Sequence, residues 1–477
     1  MNKFYITTSI PYVNANPHIG FALEIIQADV LARYYRLSKR DVFFLTGTDE
    51  HGQKIEKTAK EKGETPEEFV EKISSKYKEL KAALNLSNDF FIRTTDKEKH
   101  WPSVFKVWEK LKEKGDIYKK KYQGLYCFGC ETFLLEKDLE NGKCPVHKRE
   151  PEIVAEENYF FKLSKYSSVV YDAIEKGEIK IFPEKRKNEV LSFIRQGIED
   201  VSFSRSKEKL KWGIPVPGDE SQVLYVWLDA LTNYISALGY EKQSAEFKKY
   251  WPADVHCIGK DIFRFHCLIW PAILISLSLK LPKAIMIHGF ITVNGQKMSK
   301  SLGNVIDPFK LVEKYKTDAV RYYLLREIPS MEDGDFTFEK FEDRYNHDLA
   351  FGIGNLLSRV RTMAQKNGFD IASPLNIVKE KKELYRKAIE DFRFDIALKE
   401  VWEIVRFSDK YIEEKRPWEN KEGSKNVLGE LLSTLDEISL MLSPFLPETS
   451  ERIKNQIERK ETFANESNLP LFPRIES

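Results

Sequence analysis

Apolar and polar positions change their rhythm along the chain, and the changes mark out its parts. Residues 4–10 (FYITTSI) form a continuous strand-like run, followed by the turn-rich PYVNANP. A helix is expected from about His18, because Ile19, Leu23, Ile26 and Val30 fall on one helical face. Residues 42–46 (VFFLT) read as a second strand that ends in the loop GTDEHG. Strand, loop, helix, strand is the opening of a parallel α/β sheet. From about 116 to 205 this rhythm breaks into a cysteine cluster and several strand-like pieces, which reads as an insertion. Strands are expected again at 222–228 (QVLYVWL), 254–259 and 284–293 (AIMIHGFITV), with helices between them, so the insertion divides the sheet in two. Near residue 324 the character changes once more. Asn346, Leu349, Ile353, Leu356, Leu357 and Val360 fit one helix, 380–415 one or two more, and 424–442 another, a helical bundle at the carboxyl end.

Length and composition narrow this picture only a little. The 477 residues are too many for one compact core, so several domains are expected. A net charge of +2 gives no general basic excess, so any contact with nucleic acid must come from a local stripe. Five cysteines are too few for a disulfide framework. Cys257 and Cys267 stand apart and read as small buried apolar residues. The amino terminus enters a strand at once, without a signal or transit peptide, and the longest apolar stretch, 267–279, contains Pro271 and is too short to span a bilayer. The expected location is the cytoplasm.

Candidate chemistry starts with Pro17-His18-Ile19-Gly20-Phe21, where a strand hands over to a helix. A helix amino terminus presents free N–H groups to an anion, a histidine there can donate to a phosphate, and a glycine lets a flat base approach the backbone. Lys297-Met298-Ser299-Lys300-Ser301 is flanked by Gly295 and Gly303. Its two lysines can neutralise charge on a departing diphosphate, and the glycines let the loop move. Asp307-Pro308 should cap and start the next helix. Cys127-x2-Cys130 is followed after 13 residues by Cys144-x2-His147. Four soft ligands in two close pairs suit one tetrahedral Zn²⁺, and with no position left open the site is structural.

The His-Ile-Gly turn and KMSKS, in this order around a divided α/β sheet, resemble the class I aminoacyl-tRNA synthetases. SIPYVNANPHIG, FFLTGTDEHG, YVWLDALTNYI, IGKDIFRFH and HGFITVNGQKMSKSLGN narrow the resemblance to the methionyl family, over nearly the whole chain. The resemblance implies a Rossmann-type catalytic domain that joins L-methionine to ATP as an adenylate. It then passes the methionyl group to the terminal adenosine of a tRNA(Met) with a CAU anticodon. It implies that His18, Lys297 and Lys300 are catalytic, and that ATP with its Mg²⁺ meets Tyr12, His18, Gly20, Phe21, Gly259, Asp261, Lys297 and Lys300. It implies a methionine pocket shaped by the Ile10 backbone and Tyr12, with Asp49 on the ammonium, Trp227, Ala230 and Tyr234 as walls, and His288 at the far end. Arg205 matches a family arginine near the active site. A carboxylate suits a substrate ammonium in a partly dry site, and thioether sulfur packs well on aromatic edges.

The implied layout is 1–115 and 206–323 for the two catalytic halves, 116–205 for the zinc-bearing insertion, 324–348 for a linking, stem-contact segment, and 349–477 for a helical anticodon-binding domain. GNLLSRV and DKYIEEKRPWEN carry the likeness of this last part, and Asn355, Arg359 and Trp418 are its anticodon-binding candidates. An insertion of this size has no room for the hydrolytic editing pocket of the branched-chain enzymes. The chain end near LFPRI matches the end of the shared core, which implies a monomer. One position departs from the pattern: Phe21 stands where the family's first motif carries a second histidine, and it has no donor for the transferring phosphate. Phe21 therefore leaves two classes open, an active ligase and a non-catalytic tRNA-binding relative, and the presence of both KMSKS lysines, Asp49 and the pocket residues favours the ligase; a class I synthetase for another apolar amino acid is disfavoured by YVWLDALTNY and the anticodon-domain pieces.

Overall fold

The computed structural model describes residues 3–475 apart from 128, 135, 137, 138, 147, 300, 301 and 459–469. The chain divides into two compact units that do not follow its linear order. One comprises residues 1–17, 35–81 and 87–288; the other comprises 18–34, 82–86 and 289–477.

The first unit is built on a six-stranded, wholly parallel sheet. Its strands run in the order Phe90–Arg93, Asp41–Thr48, Lys3–Thr8, Val255–Gly259, Ala284–His288 and Lys180–Phe182. The central strands are buried along their length, and Tyr5, Ile258, Ile285 and Ile287 join Trp108, Phe203, Leu228 and Trp270 in one continuous core. Such strands read as continuous apolar runs because both faces are covered. Sheet order reverses between Lys3–Thr8 and Val255–Gly259, and in an open α/β sheet ligands bind at the carboxyl ends of the strands beside such a reversal.

Two readings of the sequence are revised here. Residues 226–228, expected to continue a strand, begin the helix Val226–Ser236 after the strand Asp219–Leu224. The apolar run QVLYVWL has no period that separates a buried strand from a buried helix. The stretch 116–205 does not stand wholly apart either, because its Lys180–Phe182 segment supplies the edge strand of the main sheet. What does stand apart is an antiparallel sheet of Thr132–Leu134, Ile117–Cys127, Glu152–Phe161 and Val201–Ser202. Cys257 and Cys267 are buried, as expected.

The second unit is mostly helical. Ile377–Glu390, Phe394–Lys415, Ser424–Leu442 and Pro447–Glu458 form the bundle anticipated at the carboxyl end, together with Asn355–Asn367. The turn before Asn355 is π-helical over Tyr345–Gly354. The helix Ile19–Leu37, up to Tyr34, belongs with this unit. A wholly buried guanidinium fixes it there. Arg321 pairs with Asp29 at 2.8 Å and donates to the carbonyls of Phe445 (2.7 Å), Leu84 (3.0 Å) and Pro444 (3.0 Å). A buried charge is tolerable when paired and fully hydrogen-bonded in this way. Among the described residues, no helix is long and apolar enough to cross a membrane.

Candidate active site

The parallel sheet brings several of the residues expected to form an amino-acid pocket to the carboxyl ends of its strands. Ile10 and Tyr12 follow Lys3–Thr8, Asp49 follows Asp41–Thr48, Gly259 ends its strand and precedes Asp261, and His288 ends the next. Tyr12 and Asp49 face each other across a short parallel bridge, held by Asp49 N–H donating to the Pro11 carbonyl at 3.0 Å and Val13 N–H to the Asp49 carbonyl at 3.2 Å. Gly259 lies in register with His288. A methyl group on Gly259 would come within 2.8 Å of Asp261 Oδ1, so a side chain there would displace the Asp261 carboxylate.

The helix Val226–Ser236 brings Trp227, Ala230 and Tyr234 to one wall. Trp227 lies flat on Phe265 with ring centroids 3.7 Å apart, and its indole donates to the Cys130 carbonyl at 3.4 Å. Tyr234 donates its hydroxyl to His266 Nε2 at 2.7 Å, a role set by His266 Nδ1–H, which is taken up by the Ile262 carbonyl at 3.0 Å. Ile10, Tyr12 and Trp227 all pack against the same core, which includes Tyr234.

Two buried polar atoms among these residues have no hydrogen-bond partner: Tyr12 Oη and Asp49 Oδ1. Burial, reinforced by the charges of Asp229 and Glu131, pushes Asp49 well above the usual carboxylate range. Burial, with Glu131 and Asp49 nearby, likewise raises the Tyr12 phenol. Asp229 itself is placed differently. Burial would raise it, but His51 Nδ1 and His100 Nε2, each 2.7 Å from one of its oxygens, outweigh that and hold it below its ordinary value. The His51–Asp229–His100 chain continues to Ser236 at 2.7 Å.

Arg205 is buried in a bidentate pair with Glu156 (3.0 and 2.9 Å) and stacks 4.0 Å over Tyr126. Beside it the Cys127, Cys130 and Cys144 sulfurs lie within 4.8 Å of one another, and Cys130 and Cys144 are 3.6 Å apart. Tetrahedral Zn–S bonds of about 2.3 Å put sulfurs roughly 3.8 Å apart, so three thiols so placed can hold such an ion. His147, the fourth expected ligand, lies outside the described residues.

In the second unit the His-Ile-Gly turn opens the helix Ile19–Leu37. Gly20 N–H donates to His18 Nδ1 at 3.0 Å, which leaves the ring proton on Nε2, and burial lowers the pKa of His18. The result is a neutral imidazole with an N–H donor. A methyl on Gly20 would stand 2.9 Å from that ring and 3.7 Å from Met298. Ile19 N–H donates to the Ile306 carbonyl at 3.1 Å, so the turn and the KMSKS segment are adjoining. That segment leaves an Asn294-Gly295 hairpin, both residues at positive φ (51° and 72°), as tight two-residue hairpins require. Asn304 braces it, accepting from Ser299 N–H at 2.8 Å and donating to the Lys297 carbonyl at 3.2 Å. Lys297 is exposed; Lys300 lies outside the described residues. Asp307 caps the helix Pro308–Tyr315 through Phe309 N–H at 2.8 Å, as expected. Phe21 is only 8% exposed, a core side chain of its helix.

Asn355 and Arg359 sit one turn apart on Asn355–Asn367, with Asn355 exposed and Arg359 paired to Glu413 at 2.6 Å. The helix Phe394–Lys415 stops before Pro417, Arg416 turns left-handed, and Trp418 is presented 41% exposed. Asn367 donates to the Pro417 carbonyl at 3.2 Å, which ties this turn to the helix of Asn355 and Arg359. Sequence reasoning had not singled out Glu131, His51, His100, Asp229 or His266. His51, Asp229 and His266 lie inside the quoted segments GTDEHG, YVWLDALTNYI and IGKDIFRFH, whereas Glu131 and His100 lie in none of them.

Comparison with known proteins agrees with this geometry. The family model of the tRNA synthetases class I (M) matches residues 4–148 and 130–361, and that of the anticodon-binding domain of tRNA ligase matches 375–475. The methionine–tRNA ligase of Clostridium perfringens is 48% identical over 478 residues, covering 96% of this chain and 74% of its own length. That of Thermotoga maritima is 45% identical over 480 residues, covering 96% and 76%. The solved structure of Mycobacterium tuberculosis methionyl-tRNA synthetase in complex with methionyl-adenylate matches with a TM-score of 0.91 at 35% identity, covering 99% of this chain and 100% of that one. A family match across more than half of the sequence, with relatives 45–48% identical over 96% of the chain, means that the chain belongs to the class I methionyl-tRNA synthetases, the ATP-dependent methionine–tRNA ligases.

Proposed function

We propose that the chain joins L-methionine to ATP through Asp49 and the pocket around it, and transfers the methionyl group to tRNA(Met) with a CAU anticodon. The observation that carries the reading is the pair of partnerless polar atoms, Asp49 Oδ1 and Tyr12 Oη, buried beside an aromatic wall. A buried carboxylate without a cation is costly, and the substrate ammonium is the cation that relieves it. The methionine side chain then lies against Trp227, Ala230 and Tyr234, with the Ile10 backbone and His288 bounding it. A methionine carboxylate oxygen attacks the α-phosphorus of ATP, and the bond to the diphosphate breaks. The Nε2–H of His18, with Lys297 and Lys300, steadies the charge that moves onto the phosphates. Gly20 and Phe21 border the nucleotide, Tyr12 takes part in its binding, and Gly259 and Asp261 take the ribose. Arg205, locked by Glu156, supports the pocket. Bound with ATP, Mg²⁺ supplies further neutralisation of the phosphates. Residues 324–348 are assigned to the tRNA stem, and Asn355, Arg359 and Trp418 to the anticodon. The enzyme is expected to act as a monomer in the cytoplasm.

The test is methionine-dependent exchange of diphosphate into ATP, compared with leucine, valine and isoleucine. Exchange with methionine alone is expected. Its absence would favour a tRNA-binding relative, for which Phe21 in place of a histidine is the specific ground. Exchange with another amino acid would move the substrate assignment.

The metal assigned to Cys127, Cys130, Cys144 and His147 is Zn²⁺. Elemental analysis should find one zinc per chain, and Cys144→Ser should lose it while loosening the 117–161 sheet more than the parallel one, as read by hydrogen exchange. A metal-free purified protein, or two ions per chain, refutes the single site.

A further inference from the structure

We propose that Glu131 is a positioning residue for methionine, through which the cysteine knuckle clamps both sides of the amino-acid pocket. The inference rests on the methionine-activating role of Asp49 proposed above.

Glu131 directly follows Cys130, adopts a left-handed backbone (φ 49°) and is buried. Its side chain reaches away from the knuckle. Oε1 accepts the backbone N–H of Lys54 at 2.7 Å, and the carboxylate also takes that of Gln53. Gln53 and Lys54 open the helix Gln53–Glu61, whose own N-cap is Gly52 and which has no side-chain cap of its own. Glu131 therefore caps this helix from 77 residues away. A carboxylate at a helix amino terminus satisfies orphan donors and the dipole together. The fit is close. Gly52 has φ 114°, and a methyl there would come within 2.7 Å of Glu131 Oε2. The capped helix is preceded immediately by Asp49-Glu50-His51-Gly52, so the cap fixes where the Asp49 loop ends.

The preceding residue holds the other wall. The Cys130 carbonyl accepts the Trp227 indole N–H at 3.4 Å. One dipeptide, Cys130-Glu131, thus touches both the loop meant for the ammonium and the ring meant for the thioether. The expected consequence is an effect on methionine that ATP and tRNA do not share.

The experiment uses the full-length, metal-loaded protein and the variants Glu131→Ala and Glu131→Gln. Methionine affinity is measured by titration calorimetry, and KM and kcat by diphosphate exchange. Glu131→Ala should weaken methionine binding and raise its KM by about tenfold or more, the size expected for a lost charge-assisted cap, with kcat and the KM for ATP within about threefold of wild type. Glu131→Gln keeps an oxygen for Lys54 N–H and should recover most of the affinity. Metal content should stay at the wild-type level in both. Wild-type methionine affinity in Glu131→Ala overturns the proposal. So does a matching loss of methionine affinity, ATP affinity, kcat and melting temperature, and so does a failure of Glu131→Gln to recover anything. If the wild type itself shows no methionine-dependent exchange, the functional reading fails instead, and the calorimetric titration then shows whether methionine binds at all.

Discussion

Replacing Asp49 with asparagine should lower methionine activation by at least about a hundredfold, while the protein melts no lower than wild type at neutral pH. Removing one partner of a buried ion pair costs roughly 3–5 kcal/mol, and the pair in question forms only when the substrate ammonium arrives. Without substrate the balance is reversed. Asp49 is buried, is pushed well above the usual carboxylate range by that burial and by Asp229 and Glu131, and has an oxygen without a partner. Between the ordinary carboxylate pKa and the raised one, the unfolded chain has lost this proton and the folded chain has kept it. The folded state then binds more protons, so stability falls as pH rises through that window. Asparagine does not titrate. Its advantage should therefore be absent below about pH 4 and grow as the pH rises. Thermal melts across that range, set beside methionine-dependent exchange, check both halves. A variant with a wild-type KM for methionine would remove Asp49 from the ammonium role, and one that melts lower at pH 7 would make it structural.

Trp418→Ala should cut kcat/KM for aminoacylation of tRNA by about 5- to 150-fold, the range of one base stacked on an aromatic ring at roughly 1–3 kcal/mol, and leave methionine activation near wild type. The structure favours this over a packing role, because the indole is 41% exposed at the end of a helix broken by Pro417. Its one described ring contact is the Arg416 guanidinium at 5.8 Å, itself on the surface. Removing it should cost little stability. If melting temperature and methionine activation fall together with aminoacylation, Trp418 is a core residue and the anticodon assignment is wrong.

What the sequence disclosed and what it hid divide on chain distance. The helix from Ile19, the Asp307 cap and the end of Phe394–Lys415 before Pro417 are local events, governed by residues within a turn or two, and all could be read. The pocket walls could be named only through the family resemblance, since nothing in the spacing of Trp227, Ala230 and Tyr234 separates a pocket from a core. The edge strand Lys180–Phe182 is three residues long, too short for an alternating pattern to register. The contacts that support Asp49 were invisible for a further reason. His51 meets Asp229 across 178 residues and His100 meets it across 129, and such pairings leave no periodic trace. They exist only once the fold has closed.

The Arg321 guanidinium sets a limit on how this chain can be cut. Asp29 lies in the helix that opens with the His-Ile-Gly turn, whereas Pro444 and Phe445 lie between two helices of the carboxyl bundle. A fragment starting at Gly289 would keep every anticodon candidate and lose Asp29 and the Leu84 carbonyl. Its Arg321 would keep the Phe445 and Pro444 carbonyls but lose its carboxylate partner and a third acceptor, and the surface that 18–34 and 82–86 cover would be left open. A cut at Gly289 therefore divides a compact unit rather than releasing one. The whole unit includes residues 18–34 and 82–86, two pieces lifted from the other end of the gene product.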